Sequence, residues 1–128
     1  MIQRCIELGD GYADVYELFE LARRMPDRIN YYLALHTEKK DQQLTSLALI
    51  MKPGTQGNFQ PIYLCLEGIP NPALKQNKRF DLFRELAEAN GHTVQELIVK
   101  PSSSFHEKNL YYQYLLGIFQ MNRFLKIA

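Results

Sequence analysis

Leu44-Thr45-Ser46-Leu47-Ala48-Leu49-Ile50-Met51-Lys52 is the run whose reading decides the fold. Successive side chains of a strand point to opposite faces, and here both sets are almost entirely apolar. The run is predicted to be a strand buried on both faces. Upstream, Ile29 to Thr37 alternates. Ile29, Tyr31, Leu33 and Leu35 point one way, and Asn30, Tyr32, Ala34 and His36 the other. Downstream, Gln60 to Gly68 places Ile62, Leu64 and Leu66 on one face, with Tyr63, Cys65 and Glu67 opposite. The connections are polar or rich in turn residues, Glu38 to Gln43 and Pro53 to Asn58. Three such runs in succession read as an antiparallel meander.

Helices flank the meander. Before it, Val15, Leu18, Phe19, Ala22 and Met25 lie on one helical face. Asp10 or Asp14 can cap that helix and Pro26 ends it. After it, Ile69-Pro70-Asn71-Pro72 must leave the sheet. Asn77 is a good N-cap for Lys78 to Asn90, with Phe80, Phe83, Leu86 and Ala87 as its apolar stripe and Gly91 at the C′ position. Thr93 to Lys100 reads as a further core strand, reached by a parallel crossover. Ser104-Phe105-His106-Glu107 matches a capping box that opens a last helix running to about Phe124. Ile2 to Leu8 is short enough for an edge strand. The expected fold is α+β, with a four- or five-stranded mixed sheet in the order (β)-α-β-β-β-α-β-α.

The chain has 128 residues, with 15 Lys+Arg against 14 Asp+Glu, a formal charge of +1. One globular domain spanning residues 1–128 is expected. Apolar residues make up 46% and charged residues 23%, which argues against wholesale disorder. The near-neutral balance argues against a nucleic-acid partner. A nucleic-acid role would need Lys39, Lys40, Lys75, Lys78 and Arg79 to form one continuous basic face. The second basic cluster, Lys75, Lys78 and Arg79, suits an anionic partner or simply a solvated helix start. No segment reaches the roughly 20 apolar residues of a membrane helix. The first residues, Met1 to Glu7, show no leader pattern. A cytoplasmic, non-membrane protein is expected, with Cys5 and Cys65 as reduced buried thiols rather than a bridge.

Catalytic motifs are sparse. Gly9-Asp10-Gly11 sits between a strand and a helix, but Asp14 stands where a dinucleotide fingerprint needs glycine. No metal site and no cofactor are implied: two distant cysteines and three scattered histidines, His36, His92 and His106, lack ligand spacing. Ser102-Ser103-Ser104 reads as loop and cap, not nucleophile. The order α-β-β-β-α-β resembles the core of restriction-endonuclease-like nucleases. In that fold one strand carries Asp and the next Glu-x-Lys, and these groups hold Mg²⁺. Here Glu67 stands at the acid position, Ile69 replaces the lysine, and Leu44 to Lys52 holds no acid. Glu67 is otherwise an ordinary strand-end acid facing solvent or a lysine. The catalytic candidates of an enzyme reading are Glu67, His36 and Glu17, with Glu20 nearby, in a small metal-dependent hydrolase or nuclease-like site.

The last helix is the unusual feature. Leu110, Tyr114, Phe119, Met121 and Leu125 are expected to pack on the sheet. Tyr111, Tyr112, Leu115, Leu116 and Ile118 then widen the apolar arc beyond one face, as in a helix that meets a partner. They are the expected interface residues of a homodimer formed through this helix, tyrosine combining apolar area with a polar tip. The expected role is a non-catalytic binding or assembly module that self-associates.

Ile2-Gln3-Arg4 with Glu7-Leu8-Gly9, Thr45-Ser46-Leu47-Ala48, Tyr63 to Pro70, and Leu110-Tyr111-Tyr112-Gln113-Tyr114 together resemble a family of short uncharacterised proteins from Bacillus-type bacteria. The resemblance covers essentially the whole chain. Some members carry a methylthioribose kinase label. The residues do not support it: there is no phosphate-binding loop, no His-x-Asp loop and no Asp-Phe-Gly. The resemblance implies no catalytic residues.

Overall fold

A computed structural model describes residues 2–9, 12–54 and 59–125. Asp10, Gly11 and most of the loop expected over Pro53 to Asn58 lie outside these, as does the side chain of Lys39. Five strands and three α-helices follow one another as β1 (Ile2–Gly9), α1 (Tyr12–Arg24), β2 (Ile29–Lys39), β3 (Gln42–Met51), β4 (Phe59–Pro70), α2 (Lys78–Ala89), β5 (Val94–Ile98) and α3 (Lys108–Met121). Short 3-10 turns at Pro26–Arg28 and Ser102–Ser104 precede β2 and α3. The fold is a mixed α+β architecture, as the patterning predicts.

The sheet order is β1-β4-β3-β2-β5. β3 lies at its centre, antiparallel to both neighbours, and Thr45 to Met51 are all buried. The outer pairs, β1 with β4 and β2 with β5, are parallel. Four strands therefore end at one edge of the sheet and only β3 begins there. Both parallel connections step three places across the sheet in the same direction. Both helices, α1 and α2, accordingly pack on the same face, as a common crossover hand requires.

Alternation along the strands separates two cores. Tyr32, Ala34, Leu47, Leu49 and Cys65 face α1 and α2, where Leu18, Phe19, Phe80 and Phe83 cover them. Leu33, Leu35, Ala48, Ile50, Ile62 and Leu64 face α3, where Tyr111, Leu115 and Phe119 cover them. Ile29 is one exception to its expected face. A register shift between Ile29 and Tyr31 turns it into the α1–α2 core. β2 and β3 run on to Lys39 and Gln42, so the hairpin turn is only Lys40-Asp41. Both residues have positive φ, 49° and 64°, the geometry that suits the twist of a tight hairpin.

The helix ends follow their expected signals in two cases. The Asn77 side chain accepts from the N–H groups of Arg79 and Phe80, and Gly91 adopts φ 78° just past α2. The third case is different. No capping box forms at Ser104 to Glu107: the serines make a separate 3-10 turn, and α3 starts at Lys108 with no side-chain cap. The expected fourth core strand is also corrected. β5 is a five-residue edge strand, mostly exposed, because only β2 pairs with it.

Cys5 packs toward the α3 core and Cys65 lies in the α1–α2 core, so the sheet separates the two thiols and both are free. Cys65 Sγ donates to the Asp14 carbonyl oxygen at 3.3 Å. Burial pushes each thiol up to about 12. At pH 8 in the native state both should resist a disulfide reagent, because the thiolate is the reactive form. They should be modified only as the chain unfolds. Rapid stoichiometric labelling of the folded protein, followed by absorbance, would contradict this placement.

Candidate functional site

Because four strands end together, the polar side chains near their carboxyl ends gather at one edge of the sheet. That edge is where open α/β sheets commonly receive ligands. Three hydrogen-bonded groups occupy it, on different faces.

The first group lies on the α1–α2 face. His36 and Glu38 project from β2, and Glu96 and Ile98 from β5, with His36 opposite Ile98 in the register. The His36 ring is held at both nitrogens. Nδ1 lies 2.8 Å from Thr45 Oγ1, and Nε2 lies 2.9 Å from Glu96 Oε1. Thr45 is buried, whereas the Glu96 side chain is 56% exposed. His36, Glu38, Glu96 and Ile98 line an open cleft of about 520 Å³, with Asn71 and Ala73 also in its wall. Asn71 is nearly buried. Its Oδ1 accepts from the Ala73 N–H at 2.9 Å, which shapes the turn that leaves β4.

The second group lies on the α3 face. Glu67 Oε1 accepts from both the N–H and the hydroxyl of Ser102, at 2.8 and 3.0 Å. Glu67 is thus neither a solvent-facing acid nor a lysine partner, as expected above. It caps the 3-10 turn before α3 and holds the triserine segment away from the helix. The third group is Glu7 on β1, which accepts from Lys108 Nζ at 2.9 Å and from the Tyr112 hydroxyl at 2.9 Å. The hydrogen bond from Lys108 leads in holding Glu7 below its ordinary range, although partial desolvation works against it.

The catalytic candidates therefore stand apart. Glu67 binds Ser102, His36 binds Thr45 and Glu96, and Glu17 is exposed on α1, where Glu20 pairs with Arg23 and Arg24. Among the described residues, no three His, Cys, Asp or Glu side chains are grouped to hold a metal ion. Thr45 and Glu96 went unnoticed in the sequence. A parity argument places Thr45 and His36 in strands, but the contact with Glu96 spans 60 residues and depends on the β2–β5 pairing.

The expected interface set also needs correction. Tyr111 and Leu115 are 1% and 0% exposed and belong to the core. Tyr112, Leu116 and Ile118 are half-buried at its margin. Leu110 and Met121, expected on the sheet, are 43% and 84% exposed instead. Two stripes holding apolar residues run along α3, about 100° apart, and helical spacing alone does not choose between them. The flanking hydroxyls do. Tyr112 reaches Glu7, and the Tyr114 hydroxyl accepts from the Lys100 N–H at 2.9 Å, so the stripe between them turns inward. The outward face is Leu110, Gln113, Gly117, Gln120 and Met121. Nothing lies within 4 Å of where a Cβ on Gly117 would stand. From Asn109 to Met121 the helix carries no charge, while α1 and α2 carry acids and bases along their outer faces.

Residues 1–125 match the family described as Domain of unknown function (DUF7147), and the chain belongs to that family. No curated protein and no solved structure matches it. No helix among the described residues is long and apolar enough to cross a membrane.

The Glu7 cluster has a pH signature. Its depressed carboxyl contributes stability that is present above the unfolded-state value, near 4.5, and is lost as pH falls through the lower folded value. The Glu7→Gln variant should therefore show a shallower loss of stability below pH 4.5 than the wild type in urea titrations. Parallel curves would show that the Lys108 and Tyr112 contacts do not hold in solution.

Proposed function

We propose that this member of the DUF7147 family is a non-catalytic assembly module whose protomer, one domain over residues 1–128, pairs with a second copy through the outward face of α3. One observation carries the reading: an exposed helix face free of charge across 13 residues, with Leu110 and Met121 at its ends and Gly117 between them. Interfaces are depleted in charge at their centres, and methionine is enriched there. A neutral face is also complementary to itself, which a two-fold contact requires. In an antiparallel pairing, Leu110 of one copy meets Met121 of the other, and Gly117 lets the helix axes approach.

The size of the face sets the strength. A 14-residue helix is about 21 Å long. A face of that length is small beside the roughly 1,200 Å² that stable complexes bury, so a weak, concentration-dependent association is expected. Free thiols on opposite sides of the sheet fit a reduced, cytoplasmic setting. Tyr112, Leu116 and Ile118 act at the margin of this contact, where part of each side chain stays accessible.

Two substitutions separate assembly from folding. Gly117→Ala should stabilise the protomer by about 0.5–1 kcal/mol, since the site is helical and open. It should at the same time weaken self-association, because the added methyl holds the helices apart. Met121→Lys should give a monomer whose protomer stability, measured at low concentration, is little changed, since a base suits the C-terminal turn of the helix. Sedimentation across a concentration series reads both. A wild type that stays monomeric at hundreds of micromolar ends the proposal.

A further inference from the structure

The cleft at the carboxyl ends of β2 and β5 takes no part in the proposed assembly, since α3 lies on the other face of the sheet. We propose that this cleft is a binding site for a small organic cation, a primary ammonium carried on a short apolar chain.

Three independent features point to that ligand. The first is charge. Glu38 and Glu96 stand on the same face of neighbouring strands, and among the described residues the lining of the cleft contains both carboxylates and no lysine or arginine, Lys75 and Arg84 lining the adjoining pocket that Glu96 and Ala73 share. The second is a fixed carboxylate. A half-exposed glutamate on an edge strand ordinarily samples many rotamers, and fixing it costs about 1–2 kcal/mol of side-chain entropy. Here buried Thr45 holds His36, and His36 holds Glu96 Oε1. Oε2 is left to accept from a ligand. A pre-oriented acceptor of this kind raises affinity by lowering what must be ordered on binding. The third is Ile98. It is 89% exposed on the wall of the cleft, beside Ala73, and is the most exposed of the large apolar side chains on the described chain. Covering an isoleucine removes apolar area from water, and an alkyl chain lying over Ile98 and Ala73 would do so.

The three features are arranged as one ligand would need them. Glu96 Oε2 takes the ammonium, Glu38, further along β2, adds negative charge at the mouth of the cleft, His36 positions Glu96 without touching the ligand's charge, and Ile98 takes the apolar tail. The volume, about 520 Å³, falls within the range typical of small-molecule pockets. An anion would meet two carboxylates here and is disfavoured.

The test uses the full chain and n-butylammonium chloride, titrated by calorimetry or by amide chemical shifts, with potassium chloride at matched ionic strength and sodium butyrate as controls. Saturable binding of butylammonium alone is expected. Glu96→Gln, at an exposed position that the core does not use, should weaken it at least about tenfold, the effect of losing one charged hydrogen bond. Unchanged circular dichroism would show that this variant folds. His36→Gln should weaken binding in the wild-type background and have no further effect in the Glu96→Gln background, because His36 acts through Glu96. No saturable binding overturns the proposal. So does binding indifferent to Glu96→Gln, or equal binding of butyrate. A His36→Gln effect that persists without Glu96 would remove the positioning role and the Thr45–His36–Glu96 arrangement with it.

Discussion

Everything else in the fold answers to the double burial of β3. Seven consecutive residues, Thr45 to Met51, are withdrawn from water on both faces and on both edges. A strand of this composition is stable only inside a sheet that has strands on either side and a helical layer above and below. The hairpins to β2 and β4 supply the edges. The layers must come from segments that begin and end on this sheet. The connections through α1 and α2, each stepping three places in the same direction, cover one face, and α3 is left for the other. The arrangement of helices is thus a consequence of one apolar run.

The same constraint distributes the polar chemistry. Antiparallel hairpins on both sides of β3 make β2 and β4 parallel to each other, and the crossovers make β1 and β5 parallel to both. Polar residues near the ends of four strands therefore meet at one edge. Their fates differ by face. On the α3 side, Glu7 and Glu67 close the approach to the helix, binding Lys108, Tyr112 and Ser102. On the α2 side, the chain leaves β4 through Asn71 and Pro72 before α2 begins, and the ends of β2 and β5 border an open cleft. A carboxylate on the covered face becomes a structural cap. A carboxylate on the open face remains accessible.

What could be read from the sequence follows from the range of each interaction. The apolar parity of β3, the helical spacing of Val15 to Ala22 and the Asn77 cap are local, and each is found in the structure as its spacing predicts. The relations that failed to show are between distant residues. Glu67 looked like a strand-end acid because its partner, Ser102, lies 35 residues away. The capping box at Ser104 was a sound local signal that lost to that contact. Glu67 binds Ser102 at the start of a separate turn held by the Pro101 and Ser102 carbonyls, and α3 starts at Lys108. The Thr45–His36–Glu96 arrangement was hidden for the same reason, since β5 joins β2 only through the crossover. Ile29 failed differently: one bulge reverses the parity on which the reading of a strand depends.

α3 shows why amphipathicity alone does not identify a buried face. Its two apolar stripes, Tyr111-Leu115-Phe119 and Leu110-Gly117-Met121, both satisfy helical spacing. The first is the more apolar, and polar groups at its margins fix it in place. Tyr112 and Tyr114 flank the first stripe and each hydroxyl finds a fixed partner, Glu7 and the Lys100 N–H. Rolling the helix by one residue would break both bonds and bring Leu110 to the place of Tyr111 and Gly117 to that of Ile118. The first stripe is therefore the one that packs on the sheet. The second is left facing water without charge: two large apolar ends, a glycine between them, and glutamines in place of the ions that cover α1 and α2. Solubility of a lone protomer gives no reason to keep charge off that face, whereas a neutral face meeting its own copy does.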